Sequence, residues 1–562
     1  MDKNRSDLKQ SIENNWKKIL IWTASVVGFI VLLLIIGGFI LQSRLPETLK
    51  KRISTETKGV YELKFDRMNV SLLSGSVGLR NVKLLPDTTA YFKLDSTQRA
   101  SKLFKINAQS LDISGLGFLR LIFKKDLDVS SITLNRPDLI VMKMTDTAKV
   151  DSNANESLYE QMPSLLKDAK IKVLRVNELS YVQQEKGDTT KQEGKWSNLS
   201  FALESIFIDS LSQKDSTTFW FCKNIQVNSR KVQFSASDGM YKYTIGEVKA
   251  SMKNRTIDIL DFKIIPQYPE LEFSQKMGKE GDRYQMVIQN LNARDVNFKH
   301  LEAEGRLHVS ALNLEDAELR VFHNKMLPPA RGVKVGNFPN IAIKRLAVPL
   351  IVDTMHVKNF DVYYKELSDQ SKKAGTAYFT NIYGTLHNIT NDSLQWKKDP
   401  WCRTTFQTNF LGKVKLVVDI NLNMEDKDGE FNYKGSLGQS DGPFYNQLLE
   451  PLAMAKIEGG TIQKVTFDVH ANSYGSTAHV QMLYSDLKVS LLGKDGKVLK
   501  KKGLLSFLAN TFIVKNSNPR KKGETPLNAD VSYTHDRERS FFNLMWKSIF
   551  TGLKVNVGVP EL

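Results

Sequence analysis

Hydrophobic and polar positions alternate with a period of two over much of the chain beyond Ser54. Val414, Leu416, Val418, Ile420, Leu422 and Met424 are separated by Lys415, Val417, Asp419, Asn421 and Asn423. Successive side chains of a strand point to opposite faces, so this stretch predicts a strand with one apolar and one wet face. Val465, Phe467, Val469 and Ala471 repeat the pattern, as do Ala478, Val480, Met482 and Tyr484. Helical patterning is confined to Glu156 to Leu166, Phe444 to Ala455, Leu504 to Phe512 and Arg539 to Leu553. That is too little helix to roof several hundred residues of sheet. The apolar face is therefore covered by a second sheet, giving sandwiches, or belongs to a curved sheet that leaves it open to a ligand.

One strand-like segment occurs twice, Leu127 to Met142 and Leu307 to Phe322. Without a gap, Leu127 falls on Leu307, Val129 on Val309, Ile132 on Leu312, Leu134 on Leu314 and Leu139 on Leu319. Downstream, the segment from Leu174 matches that from Met355, the segment from Ser197 matches that from Thr380, and Asp209-Ser210-Leu211 matches Asp392-Ser393-Leu394. Four matches in one order imply tandem copies of a large β unit, with loop insertions absorbing the small drift. Both copies share a phase slip. Leu174 and Val176 are followed by Leu179 and Tyr181, and Met355 and Val357 by Phe360, Val362 and Tyr364. A bulge at the same place in each copy accounts for it.

Ile19 to Leu41 is uncharged, and its roughly 23 residues suffice for a helix across a ~30 Å hydrocarbon core. It reads as an uncleaved signal anchor, because Gln42, Ser43, Arg44 and Leu45 follow in place of a small-residue cleavage site. Lys17 and Lys18 abut the run on its N-terminal side, which favours a cytoplasmic N-terminus and the bulk of the chain across the membrane. The 562 residues carry 79 basic and 61 acidic side chains, net +18. With a membrane anchor, that excess favours phospholipid headgroups over nucleic acid as partners.

Candidate chemistry is sparse. Gly438 to Gly442 fits G-x-S-x-G around Ser440, with Asp468 and His470 downstream, but Pro443 follows at once and no β/α alternation surrounds it. A glycine-rich turn is the ordinary reading. The eight histidines show no metal-ligand spacing, and Cys222 and Cys402 form no metal motif. If the two cysteines occupy equivalent places in stacked copies, they lie too far apart for a disulfide. No catalytic residue, cofactor or metal is expected.

LLSGSVGLRNVKLLPD from Leu72 and DVSSITLNRPDLIV from Asp128, behind the membrane run, resemble the opening of AsmA-like envelope proteins. AHVQMLYSDLKVSLL from Ala478 and KKGLLSFLANTFIVKNSNPRKKG from Lys501 are similar to the closing segment of AsmA-like proteins of the Bacteroidota type. The resemblance covers most of residues 15 to 530 and implies a bacterial inner-membrane anchor carrying a periplasmic repeating β-groove, related to bridge-like lipid-transfer proteins. It also implies passage of phospholipid between the two membranes.

The expected organisation is a cytoplasmic segment (1–18), the membrane helix (19–41), an entry β segment (54–105), groove copies at 106–284 and 285–460, a closing β segment (461–500) and a basic, amphipathic cap (501–562). The fold class is an elongated, twisted antiparallel sheet forming a β-groove. Acyl chains are expected against Val414, Leu416, Val418, Ile420, Leu422, Met424, Val465, Phe467, Val469, Phe360 and Val362. Phe542, Trp546 and Ile549, with Lys501, Lys502, Lys521 and Lys522, are expected at a membrane interface. The terminal helix has a second reading, as a cap on the end of the groove. The alternative function is an assembly factor for outer-membrane proteins or envelope integrity, pairing with partners through its strand edges.

Overall fold

The computed structural model describes residues 45–71, 73–95, 99, 102–117, 120, 124, 126–144, 168–185, 188–209, 222–236, 238–303, 305–330, 332–346, 349–493 and 515–558. The membrane run 19–41, the candidate helices 156–166 and 504–512, and Lys501 and Lys502 lie outside them. Among the described residues, no helix is long and apolar enough to cross a membrane.

The fold is mostly β: of the described residues, 60% are strand and 16% helix. The strands are β1 Tyr61–Lys64, β2 Arg67–Ser71, β3 Ser76–Pro86, β4 Lys102–Ser114, β5 Asp126–Asn135, β6 Asp138–Lys143, β7 Asp168–Glu185, β8 Asp188–Ile208, β9 Asn224–Ser235, β10 Tyr241–Ser251, β11 Thr256–Pro266 and β12 Asp282–Asn297. They continue with β13 Leu307–Asn324, β14 Leu350–Leu367, β15 Ala374–Thr390, β16 Trp401–Phe410, β17 Val414–Asn423, β18 Phe431–Leu437, β19 Ser440–Asp441, β20 Ala455–Asn472, β21 Gly475–Leu491 and β22 Asn528–Thr534. Two compact units result. The N-terminal unit runs to Asp261 and includes Asp295–Glu304; the C-terminal unit holds Phe262–Arg294 and everything from Gly305.

The two sequence copies occupy corresponding strands. In the N-terminal unit β5 and β6 pair with β7, which pairs with β8 and then β9. In the C-terminal unit β13 pairs with β14, then β15, then β16. Ile132, Leu174, Leu203 and Ile225 stand side by side in the first, and Leu312, Met355, Leu386 and Thr404 in the second. By this register Ile225 corresponds to Thr404, which sets Cys222 one residue out of step with Cys402. Both cysteines are buried, and neither is in a disulfide.

The expected antiparallel sheet is interrupted by a parallel pairing in each unit, β5 and β6 on β7 and β13 on β14. Parallel neighbours need a crossover instead of a hairpin, and alternation alone carries no strand direction. The second crossover contains the helix Pro339–Lys344, one of six short helices absent from the sequence reading. The expected helix at 444–455 is a 3₁₀ turn, Gly442–Tyr445, followed by Asn446–Ala453. The terminal one spans Phe541–Asn556, started by Ser540 Oγ accepting from the Asn543 amide at 3.2 Å.

The phase slips are bulges. Register shifts lie between Val176 and Leu179 and between Val357 and Phe360, with left-handed residues at Glu178 (φ 55°) and Asn359 (φ 54°). Neighbouring strands carry their own at the same level. In the N-terminal unit these are Arg136, Asn198 and Lys231, and in the C-terminal unit Asp316 and Asn381. Side chains tie the rows together. Arg136 pairs with Glu178 at 2.9 Å, Asn198 donates to the Lys231 carbonyl at 3.1 Å, and Asn359 donates to Asp316 at 2.6 Å. One extra residue per strand keeps apolar side chains on one face across an odd spacing and bends every strand along a shared line.

Candidate functional site

Register in the C-terminal unit builds two unlike faces. One row runs Leu312, Met355, Leu386, Thr404, Ile420, Tyr433, Val469, Ala478 and Val531 across β13 to β18 and β20 to β22. The next row on that face runs Leu314, Val357, Gly384, Phe406, Val418, Gly435, Phe467, Val480 and Ala529. Between them, on the opposite face, stand Asn313, His356, Thr385, Thr405, Asp419, Lys434, Asp468, His479 and Asp530. Hydrogen bonds such as Thr405 Oγ1 to Asp419 Oδ1 (2.9 Å) hold that ladder. A largely apolar face nine strands wide thus backs a largely polar one, with Thr404 on the first and Val417 on the second as exceptions.

Burial along the apolar face is graded. Tyr433, Val469 and Val480 are 0–1% exposed, whereas Leu312, Met355, Leu386, Phe406, Val418 and Ile420 are half-buried. The closed end lies under the terminal helix, which buries Phe541 and Leu544 together with the small or polar Ser548, Thr551, Gly552 and Asn556. A Cβ on Gly552 would come within 2.5 Å of Val480 Cβ, so only glycine permits this approach. Ser548 Oγ meets Ser476 Oγ at 2.6 Å, Tyr433 OH donates to the Met545 carbonyl at 2.7 Å, and Asn556 donates to the Val480 carbonyl at 2.9 Å while accepting from the Met482 amide at 3.1 Å. Beyond Gln481 and Asn528, the last pair of β21 and β22, Asn556 replaces the missing strand partner.

The crossover between β13 and β14 braces the same end. Phe338, fully buried, meets Phe541 edge-on at 5.3 Å and Phe431 at 6.4 Å. Asn340 donates to the carbonyls of Asn423 (3.0 Å) and Glu430 (3.2 Å), and the Lys334 amide to that of Arg537 (2.8 Å).

These placements sort the expected contact residues. Leu416, Val418, Ile420, Phe360 and Val362 are half-buried on the accessible part of the face. Val414, Leu422, Met424, Val465, Phe467 and Val469 are buried core, 0–9% exposed. At the terminal helix, Phe542 (71%) and Trp546 (47%) are exposed, but Ile549 packs against the core because it lies toward the sheet. Lys521 and Lys522 are exposed on a loop. The half-buried Leu312, Leu314, Met355, Phe379, Leu386 and Phe406 were missed. Their alternation in β13 to β16 was as legible as that of β17, and only the register joins them into one surface.

Ser440 pairs with Ile462, eight residues along β20 from His470, which at ~3.4 Å per residue is ~27 Å. The Ser440 hydroxyl bonds to Tyr445 OH at 2.6 Å, and Asp468 and His470 lie on the polar face. These three residues do not form a triad. Burial pushes the Cys402 thiol up to about 12, which leaves it protonated and unreactive. Among the described residues, no group of three His, Cys, Asp or Glu is placed to hold a metal. No protein-family model and no curated protein matches this chain.

Proposed function

We propose that this chain is a membrane-anchored envelope protein that handles phospholipids, taking acyl chains against the accessible apolar face of β13 to β17. The observation that carries the reading is the burial gradient. One largely apolar face is sealed by helix and crossover at one end and left mostly half-buried over five strands at the other, with Val357 and Thr404 buried among them. Bare apolar surface of this extent is unfavourable in water, and each methylene laid on it recovers about 0.8 kcal/mol. The contact is solvation without directional bonds, so chains slide and selectivity among acyl groups is low. The hydrophobic run at 19–41 and the net charge of +18 support a place at a membrane, and the AsmA-like resemblance supports an inner-membrane anchor with a periplasmic body.

Native mass spectrometry of full-length protein extracted in mild detergent tests this. Phospholipid is expected to co-purify, and Val418→Asp with Ile420→Asp to remove it while the strand signal in circular dichroism persists. Wild-type protein free of lipid, or lipid retained by the double variant, overturns the proposal.

A further inference from the structure

The terminal helix docks through Phe541 and Leu544 together with small and polar residues, and leaves a second apolar stripe outside. Leu544, Ser548, Thr551 and Gly552 face the sheet, so at ~100° per residue Phe542, Trp546 and Phe550 project from the other flank. Trp546 and Phe550 stack with centroids 5.3 Å apart. Lys547 and Lys554, two turns apart on one side of this stripe, both reach the Phe550 ring, Nζ to centroid 5.6 and 5.8 Å. Among the described residues neither lysine has an ion-pair partner, whereas nearby Lys325 is neutralised by Glu366 at 2.6 Å. Burial, with the charges of Lys325 and Lys554 adding to it, holds Lys547 below the ordinary lysine range.

We propose that this flank is a headgroup site for an anionic amphiphile, with Lys547 and Lys554 clasping the negative group and Phe542, Trp546 and Phe550 bedding the first part of its hydrocarbon. This rests on the lipid-handling reading and adds to it where the polar end of the lipid sits. Two converging, unneutralised cations repel each other, and an anion between them relieves that repulsion. A bare anion leaves the exposed aromatic stripe unexplained, and a neutral amphiphile leaves the lysines unexplained. A molecule with both parts satisfies both.

The test titrates the detergent-solubilised full chain by native mass spectrometry with diheptanoyl phosphatidylglycerol, diheptanoyl phosphatidylcholine and inorganic phosphate. The anionic lipid is expected to bind about fivefold to tenfold more tightly than the zwitterionic one. Lys547→Gln with Lys554→Gln should erase that preference and leave phosphatidylcholine binding unchanged, whereas the double Arg variant should retain it. Equal binding of both lipids, a preference that survives the Gln substitutions, or phosphate competing as strongly as the anionic lipid overturns the headgroup site alone. If neither lipid binds the wild type, the lipid-handling reading falls as well.

Discussion

The two units use the same strand grammar to opposite ends. In the N-terminal unit the row Ile132, Leu174, Leu203 and Ile225 is 1–8% exposed, and all four residues belong to one core cluster. In the corresponding row of the C-terminal unit, Leu312, Met355 and Leu386 are half-buried, Thr404 is 5% exposed, Ile420 is again half-buried, and burial is continuous from Tyr433 onward. The register is equivalent, and Thr404 alone replaces an apolar residue, Ile225. How far an apolar face is buried is decided partly outside the strands that make it, at the closed end of the C-terminal unit by the helix Phe541–Asn556 and the β13–β14 crossover.

The sharpest way to break this comparison is to place one carboxylate in each unit. Val176→Asp puts a charge where nothing is exposed and is expected to cost about 4 kcal/mol or more, read as the loss of a cooperative urea transition. Val418→Asp, on the half-buried part, should leave most of that transition in place and act on lipid binding instead. If the two are equally destabilising, the faces are not different.

Next in size is Gly552→Leu, which wedges the helix from Val480 and is expected to cost about 2 kcal/mol in chemical denaturation. It should also lengthen the lipid-accessible face, seen as extra bound lipid per chain.

The bulge rows give a pair of opposite sign. Asn359→Ala keeps a left-handed backbone without a side chain suited to it and removes the bond to Asp316, for a loss of about 1 kcal/mol. Glu178→Asn at the matching position puts a tolerant residue at φ 55° and gives up only an exposed ion pair, for a gain of up to about 1 kcal/mol in the same measurement.

The smallest effect is a pH response at the closed end. Both ring nitrogens of His535 are buried, and burial holds the imidazole below its ordinary range, with the Arg539 backbone and the charge of Asp536 only partly offsetting this. Above the unfolded value of about 6.5 the ring is neutral in both states and its contribution is complete. As pH falls below that value, the unfolded chain takes up a proton first, so stability declines until the folded-state pKa is passed. His535→Phe should flatten this limb of the melting temperature against pH.

Strand positions, the tandem copies and the phase slip were legible because each is written in side-chain alternation, which burial enforces locally. Strand direction was not, since Leu307 to Phe322 alternates the same way whether its neighbour runs parallel or antiparallel. The terminal helix was harder to read. Its apolar periodicity marks Phe542, Trp546 and Ile549, but the docked face also uses Ser548, Thr551 and Gly552 beside Phe541 and Leu544, and closeness to the sheet at Gly552 leaves no hydrophobic signal. Hence the closed end of the site, and the buried state of Val465, Phe467 and Val469, could not be read from composition.

The bend line has an evolutionary corollary. Because the strands of each bulge row bring their own left-handed residues, tied by side chains such as Asn359 and Arg136 to a neighbour one strand away, the instruction to fold is carried by the duplicated segment itself. A gene that gains another copy would inherit its hinge ready-made, so lengthening needs no new architectural invention, only a fresh lid wherever the series stops.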